Sequence, residues 1–172
     1  PVVAIGSVFV LVGLDDGVGL IGIGLPGAVA TGSLIGLVYA QTVRYLAPEG
    51  VSDADFKRIF GKTPRMIEFF EKRYGYPYPW PRYDQVVVHD FIFGGMENVA
   101  STTLTDLCMT DERAASDWDA EDLIAHELAH QWFGDLLTCQ DWSQGYLNEA
   151  WATYSEVLWK THDLGQDEAD YH

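Results

Sequence analysis

Cysteine is scarce in this chain: Cys108 and Cys139 are the only two, and no C-x-x-C pair occurs. That excludes a disulfide framework and a thiolate zinc site, and both residues read as free thiols. Basic residues are also few. Ten Lys and Arg stand against 26 Asp and Glu, a formal net charge of −16, which excludes nucleic acid as a partner because phosphate recognition needs clustered cations. No initiator methionine and no charged N-terminal region precedes an apolar stretch, so no signal peptide is legible. Internal repeats and charged low-complexity tails are absent too. The cysteines leave the compartment open, with the cytoplasm the leading expectation, and oligomeric state carries no sequence signature.

What is present describes a globular chain. The 172 residues are 48% apolar and 13% aromatic, enough for one ordinary domain with a sizeable core and too few for two complete ones. The acidity reads mainly as solubility, since a cation site would use only a few of these carboxylates.

Residues 1–46 differ in texture from the rest. From Gly17 to Val43 there is no charged residue, and the stretch holds seven glycines and Pro26. Its length alone would suit a membrane span, but glycine at that density weakens a helix. Short pieces such as Val8-Phe9-Val10 and Leu37-Val38-Tyr39 read better as strands, so a membrane partner is not expected. Residues 47–172 carry the pattern of a folded, largely helical domain. Ser52-x-x-Asp55 opens a short helix through Phe56, Ile59 and Phe60, and Thr63-Pro64 predicts an N-cap and first position for a second, with Met66, Ile67, Phe69 and Phe70 facing inward. Gly75 to Pro81 is a stiff aromatic loop, and Gln85 to Val88 a short strand. A further helix is expected from near Ser116 to about Gly134. Another should run from about Asn148 to Lys160, with Trp151, Tyr154 and Leu158 on one face.

The chemistry sits in the third of these helices. His126-Glu127-Leu128-Ala129-His130 fits H-E-x-x-H. At about 3.6 residues per turn the two histidines share a face and can reach one metal, while Glu127 lies beside it, placed for the metal's water. Leu123, Ile124, Leu128, Trp132 and Phe133 make the segment apolar nearly all round, hence buried, and two buried histidines need a partner that a shared metal supplies. A third ligand, Glu149, would leave zinc one open position for water, as in catalytic sites.

Eighteen residues separate His130 from Glu149, which stands in Tyr146-Leu-Asn-Glu-Ala-Trp-Ala-Thr-Tyr154, and Gly94-Gly-Met-Glu-Asn98 lies upstream. In order and spacing these motifs resemble the gluzincin zinc aminopeptidases, the family of aminopeptidase N and leukotriene A hydrolase. The resemblance covers residues 47–172. It implies an α+β fold, a partial thermolysin-like metallopeptidase domain, mainly helical with a small sheet, preceded by residues 1–46 as the end of an N-terminal β domain. It implies one Zn²⁺ held by His126, His130 and Glu149, with Glu127 as the base acting on the zinc-bound water. Glu97 would bind the α-amine of a peptide with a free N-terminus, and Gly94, Gly95 and Met96 would line the cleft as an exposed edge strand. Asn98 and Asn148 would fix local backbone, and Glu156, seven residues after Glu149, would orient a ligand histidine. His89, His162 and His172 lack metal spacing and read as structural or exposed.

The implied function is zinc-dependent removal of the N-terminal residue from peptides. Its rivals are a non-catalytic relative serving as an interaction module and an epoxide hydrolase of the leukotriene type. An endopeptidase is disfavoured because Glu97 would block continuation of the substrate chain. Two departures stand out. Ala150 follows Glu149 where the family commonly has glycine. The family's oxyanion tyrosine has no counterpart here, Tyr171 being too near Glu149, so it is expected beyond His172. The isolated chain is then expected to be weakly active or inactive, since loss of one oxyanion donor costs about 10²–10³ in rate.

Overall fold

The computed structural model describes residues 8–14, 17–22, 42–47 and 51–171. It is a mixed structure of helices and one six-stranded sheet. Strands β1 (Val8–Leu14) and β2 (Gly17–Gly22) pair antiparallel as a hairpin, and β3 (Thr42–Leu46) pairs antiparallel with β1. Thus Val8-Phe9-Val10 and both ends of the uncharged stretch are extended, while Leu37-Val38-Tyr39 lies outside the described residues. No helix among the described residues is long and apolar enough to cross a membrane.

Two helices follow β3. α1 (Asp53–Phe60) is capped by Ser52, whose hydroxyl accepts the Asp55 N–H at 3.1 Å. α2 (Thr63–Tyr74) starts differently from the sequence expectation: Lys62 is the N-cap and Thr63 is already helical. The Thr63 hydroxyl is instead buried and donates to Gln85 Oε1 at 2.9 Å, so tertiary contact takes the side chain that the cap would have used. Strand β4 (Arg82–Val88) begins three residues before the expected Gln85 and runs parallel to β3. The chain then doubles back. β5 (Gly95–Met96) is a two-residue edge strand antiparallel to β6 (Ser101–Thr105), and β6 runs parallel to β4, giving the order β2-β1-β3-β4-β6-β5.

α3 (Glu121–Ala129) is shorter than expected at both ends. Asp119 Oδ1 accepts the Glu121 N–H at 2.8 Å, setting the start, while Ser116 belongs to a preceding 3-10 turn and donates to the Arg113 carbonyl. Beyond Ala129 the chain closes into tight turns, with Gly134 at φ 132°, a conformation no helix continues through. α4 (Glu149–Asp163) lies close to its expected span. Ala152, Ser155 and Trp159 are buried, whereas Trp151 and Tyr154 are exposed. Ser155 accepts the Tyr74 hydroxyl of α2 at 2.6 Å. A short α5 (Gln166–Ala169) ends the described chain.

Phe56, Ile59 and Phe60 of α1, Met66, Ile67 and Phe70 of α2, Tyr45, Tyr83 and Leu104 of the sheet and Ile124 and Leu128 of α3 form one core with Trp132 and Trp159. α3 therefore lies inside the molecule, between the sheet and α4. Cys108 is buried and Cys139 half-buried, both as free thiols. His162 stacks on Phe69 at 4.4 Å between centroids and His89 pairs with Asp106, in keeping with structural roles, while His172 lies outside the described residues.

Candidate metal centre

Three elements meet at one point. α3 brings His126 and Glu127, with His130 on its last turn; the first residue of α4 is Glu149; and β5 with the turn after it carries Gly95, Met96, Glu97 and Asn98. The two imidazole Nε2 atoms lie 3.1 Å apart. Glu149 Oε2 stands 3.4 Å from His126 Nε2 and 3.6 Å from His130 Nε2.

The other ring nitrogens are occupied. His126 Nδ1 lies 2.6 Å from Glu156 Oε1, and His130 Nδ1 lies 2.9 Å from the Phe133 carbonyl. Both Nδ1 atoms face acceptors, so they carry the hydrogens. Two bare Nε2 lone pairs then point at one another beside a carboxylate. Such an arrangement is repulsive unless a proton or a metal cation sits between them, and imidazole with carboxylate is a donor set that suits zinc. The residues present therefore fit a zinc ion.

The surrounding charge argues the same way. Glu127 is 5% exposed and its Oε2 has no hydrogen-bond partner. Burial pushes its carboxyl up to about 8; His126 opposes this, and the carboxylates of Glu97, Glu149 and Glu156 add to it. Burial lowers the His126 pKa, but the Glu156 hydrogen bond and the charges of Glu127, Glu156 and Glu149 outweigh that and raise it overall. Asp135, pushed up to about 7 by burial and then by Glu97, adds another carboxyl nearby. Carboxylates crowded around two imidazoles are an anionic hole that a divalent cation would neutralise.

The edge strand contacts Glu127 directly. A Cβ on Gly95 would stand 2.6 Å from Glu127 Cγ and closer still to the carboxyl group, so any larger residue there would have to displace the Glu127 side chain. Gly94 is exposed at the strand's start, its Cβ position 3.2 Å from Leu123 Cδ1, and Met96 is partly exposed beside it. One ligand oxygen each from Glu97 and Glu127 and a ring nitrogen of His130 lie within 4.8 Å of one another. Asn98 donates to Thr103 Oγ1 at 3.0 Å and its carbonyl accepts the Ser101 N–H, while Asn148 Oδ1 accepts the Cys139 N–H at 3.2 Å. His126, Glu127, His130, Glu149, Glu156, Glu97 and Gly95 thus lie around one point, with Gly94, Met96 and Asn98 on the chain that flanks it.

Three further residues come from the structure. Gln131 is fully buried and hydrogen-bonds the loop that carries Glu97. Gly134 passes beneath His130, where a Cβ would meet Nδ1 at 3.2 Å. Asp135 has a buried Oδ2 without a hydrogen-bond partner. A buried amide in an otherwise apolar run was a legible signal for Gln131; the other two depend on how the turn after α3 closes.

The model of the "Peptidase family M1 domain" matches residues 59–171. Aminopeptidase N of Streptomyces lividans is 37% identical over 116 residues, covering 66% of this chain and 13% of that protein. Aminopeptidase Ey of Gallus gallus is 37% identical over 115 residues, covering 64% of this chain and 12% of that protein. The chain therefore spans about an eighth of the length of these curated relatives. Among solved structures, a mutant M1 zinc metallopeptidase from Deinococcus radiodurans bound to a Tyr-Ser-Ala substrate superposes with a TM-score of 0.56 at 30% identity, over 73% of this chain and 26% of that one.

Proposed function

Because the chain belongs to peptidase family M1, we propose that residues 47–172 are part of a thermolysin-like catalytic domain that removes the N-terminal residue from peptides. The observation that carries this reading is the closeness of Glu97 to the reaction centre. Its carboxylate lies within 4.8 Å of both Glu127 and a nitrogen of His130. One residue of extended chain spans at most about 3.6 Å, so a substrate ammonium held by Glu97 brings the first carbonyl, and no later one, beside Glu127. Substrates with a blocked amine lose that pairing and leave a carboxylate facing them.

His126, His130 and Glu149 would hold the zinc, with Glu156 fixing the His126 ring through Nδ1 and the Phe133 carbonyl fixing His130. A zinc ion there supplies Lewis acidity, polarising a carbonyl and acidifying water. Glu127 accepts the proton from the attacking water and passes it to the leaving amine. The unpaired Oε2 of Glu127 supports that role, since no protein group competes for it. The open side of β5 would pair with substrate backbone by strand addition.

The test is hydrolysis of aminoacyl amides by zinc-loaded protein expressed with its natural flanking sequence. Free N-termini should be cleaved at least about 100-fold faster than acetylated ones, as expected of a charge-assisted pair at the reacting end. Glu97→Gln should erase that preference while zinc stays bound. Equal cleavage of acetylated substrates by the unaltered protein would overturn the reading.

A further inference from the structure

The loop that carries Glu97 has its own internal bonds: Asn98 to Thr103, Ser101 to the Asn98 carbonyl, and the two pairs of β5 with β6. Its Ala100 carbonyl also accepts the Asp84 N–H from β4. These tie the loop to the sheet; toward α3 the edge strand meets Glu127 at Gly95, before the loop begins.

Gln131 reaches the loop itself. Its side chain has 0% exposure, and its backbone is joined directly to His130. Oε1 accepts the Ala100 N–H at 2.7 Å and the Tyr78 hydroxyl at 3.4 Å. Nε2 faces the carbonyls of Glu97 and Asn98 at 3.4 and 3.5 Å. An N–H can only donate, so Ala100 fixes which end of the amide faces it. Ala100 sits at φ 59°, a left-handed conformation that a residue with a side chain holds only where its surroundings over-determine it. A buried position with no other task is filled at lower cost by an apolar side chain. Here an amide stands instead, and besides the Tyr78 hydroxyl and the Asp135 carboxyl the groups it satisfies are the backbone of Glu97, Asn98 and Ala100.

We propose that Gln131 is a positioning residue, clamping loop 97–100 to the metal-ligand turn so that the Glu97 carboxylate stands one substrate residue from Glu127. This rests on the reading of Glu97 as the amine anchor, and its consequence is specific. Loosening the clamp should blur recognition of the substrate amine while leaving the zinc ligands in place.

The experiment compares zinc-loaded wild-type protein with Gln131→Met, Gln131→Glu and Glu97→Gln. Each is titrated by calorimetry with leucine hydroxamate and with its N-acetyl derivative, and zinc content is measured in parallel. Gln131→Met should keep stoichiometric zinc and bind the acetylated probe within about 3-fold of wild type. Its preference for the free amine should fall about 10-fold or more, the scale of a misplaced anchor. Exchange of the Ala100 amide hydrogen should quicken by a similar factor, as its acceptor is lost. Parallel weakening of both probes would mean a merely structural role and would overturn the proposal, as would an unchanged preference. If Gln131→Met does not fold, Gln131→Glu decides the matter. It keeps an acceptor for Ala100 but turns an oxygen toward the Glu97 and Asn98 carbonyls, so at least about a 3-fold loss of preference is expected, and full retention would overturn the clamp. Glu97→Gln separates the two ideas. If it retains the preference, the anchor reading itself fails; if it erases the preference while Gln131→Met does not, only the clamp fails.

Discussion

Replacing Glu127 with glutamine separates what its carboxylate costs the fold from what it gives the chemistry. In the unfolded chain this carboxyl ionises near its ordinary value of 4.5; in the metal-free folded protein, burial and neighbouring carboxylates hold its proton until about pH 8. Its folded pKa is raised, so its contribution to stability is fully present below the unfolded value and is lost as pH rises toward 8. At about 1.4 kcal/mol per pH unit, the span from 4.5 to 8 sets a ceiling of about 5 kcal/mol. Relaxation and water entry reduce it, and about 2–4 kcal/mol is expected. Urea unfolding of chelator-treated protein, followed by far-UV circular dichroism, reads this directly. At pH 9 Glu127→Gln should be the more stable protein by about 2–4 kcal/mol, and at pH 5 the two should differ by less than about 1 kcal/mol. Adding zinc should narrow the pH 9 difference, because a cation nearby favours the carboxylate. Hydrolysis should meanwhile fall about 10²–10⁴-fold. A stability difference that is the same at both pH values would refute the reasoning, since a change in packing has no such pH dependence.

Two substitutions test the frame around that carboxylate. Glu156→Gln removes the charged partner of His126 Nδ1 and should weaken zinc binding about 10–100-fold in competition with a chelator; unchanged affinity would show that Glu156 does not orient the ligand. Gly95→Ala forces a methyl into the Glu127 carboxyl and should destabilise the fold by about 1–3 kcal/mol. Thermal unfolding checks this, and a transition as high as the wild type's would mean the edge strand yields freely.

Much of the centre was legible because helical spacing is local. His126 and His130 lie one turn apart whatever surrounds them, and Glu149 and Glu156 lie two turns apart on α4, which is why one can face the metal site and the other the back of His126. The misreadings arise where a distant partner decides. Thr63 was expected to cap α2, but Gln85 claims its hydroxyl. Trp151, Tyr154 and Leu158 share a face as their spacing requires, but which face of α4 turns inward was not legible: the helix buries Ala152, Ser155 and Trp159, and the Tyr74 hydroxyl of α2 donates to Ser155. α3 stops before the apolar run that continues through Phe133, since His130 needs the Phe133 carbonyl and a continuing helix would take it. Of the edge strand, the sequence offered two glycines in a row. That one of them makes room for the Glu127 side chain could be seen only when α3 and β5 were placed together.

That space has a consequence for how the chain finds its structure. β5 is two residues long and pairs Gly95 with Leu104 and Met96 with Thr103. So short a strand is prone to sliding along its neighbour. A slip that put Met96 where Gly95 belongs would thrust a thioether into Glu127, and α3 could not seat. A slip the other way would deprive the Thr105 N–H of the Gly94 carbonyl. The contact of Gly95 with Glu127 thus ties the alignment of the edge strand to the seating of α3: the same side chain that faces the site also favours one register of β5 over its neighbours.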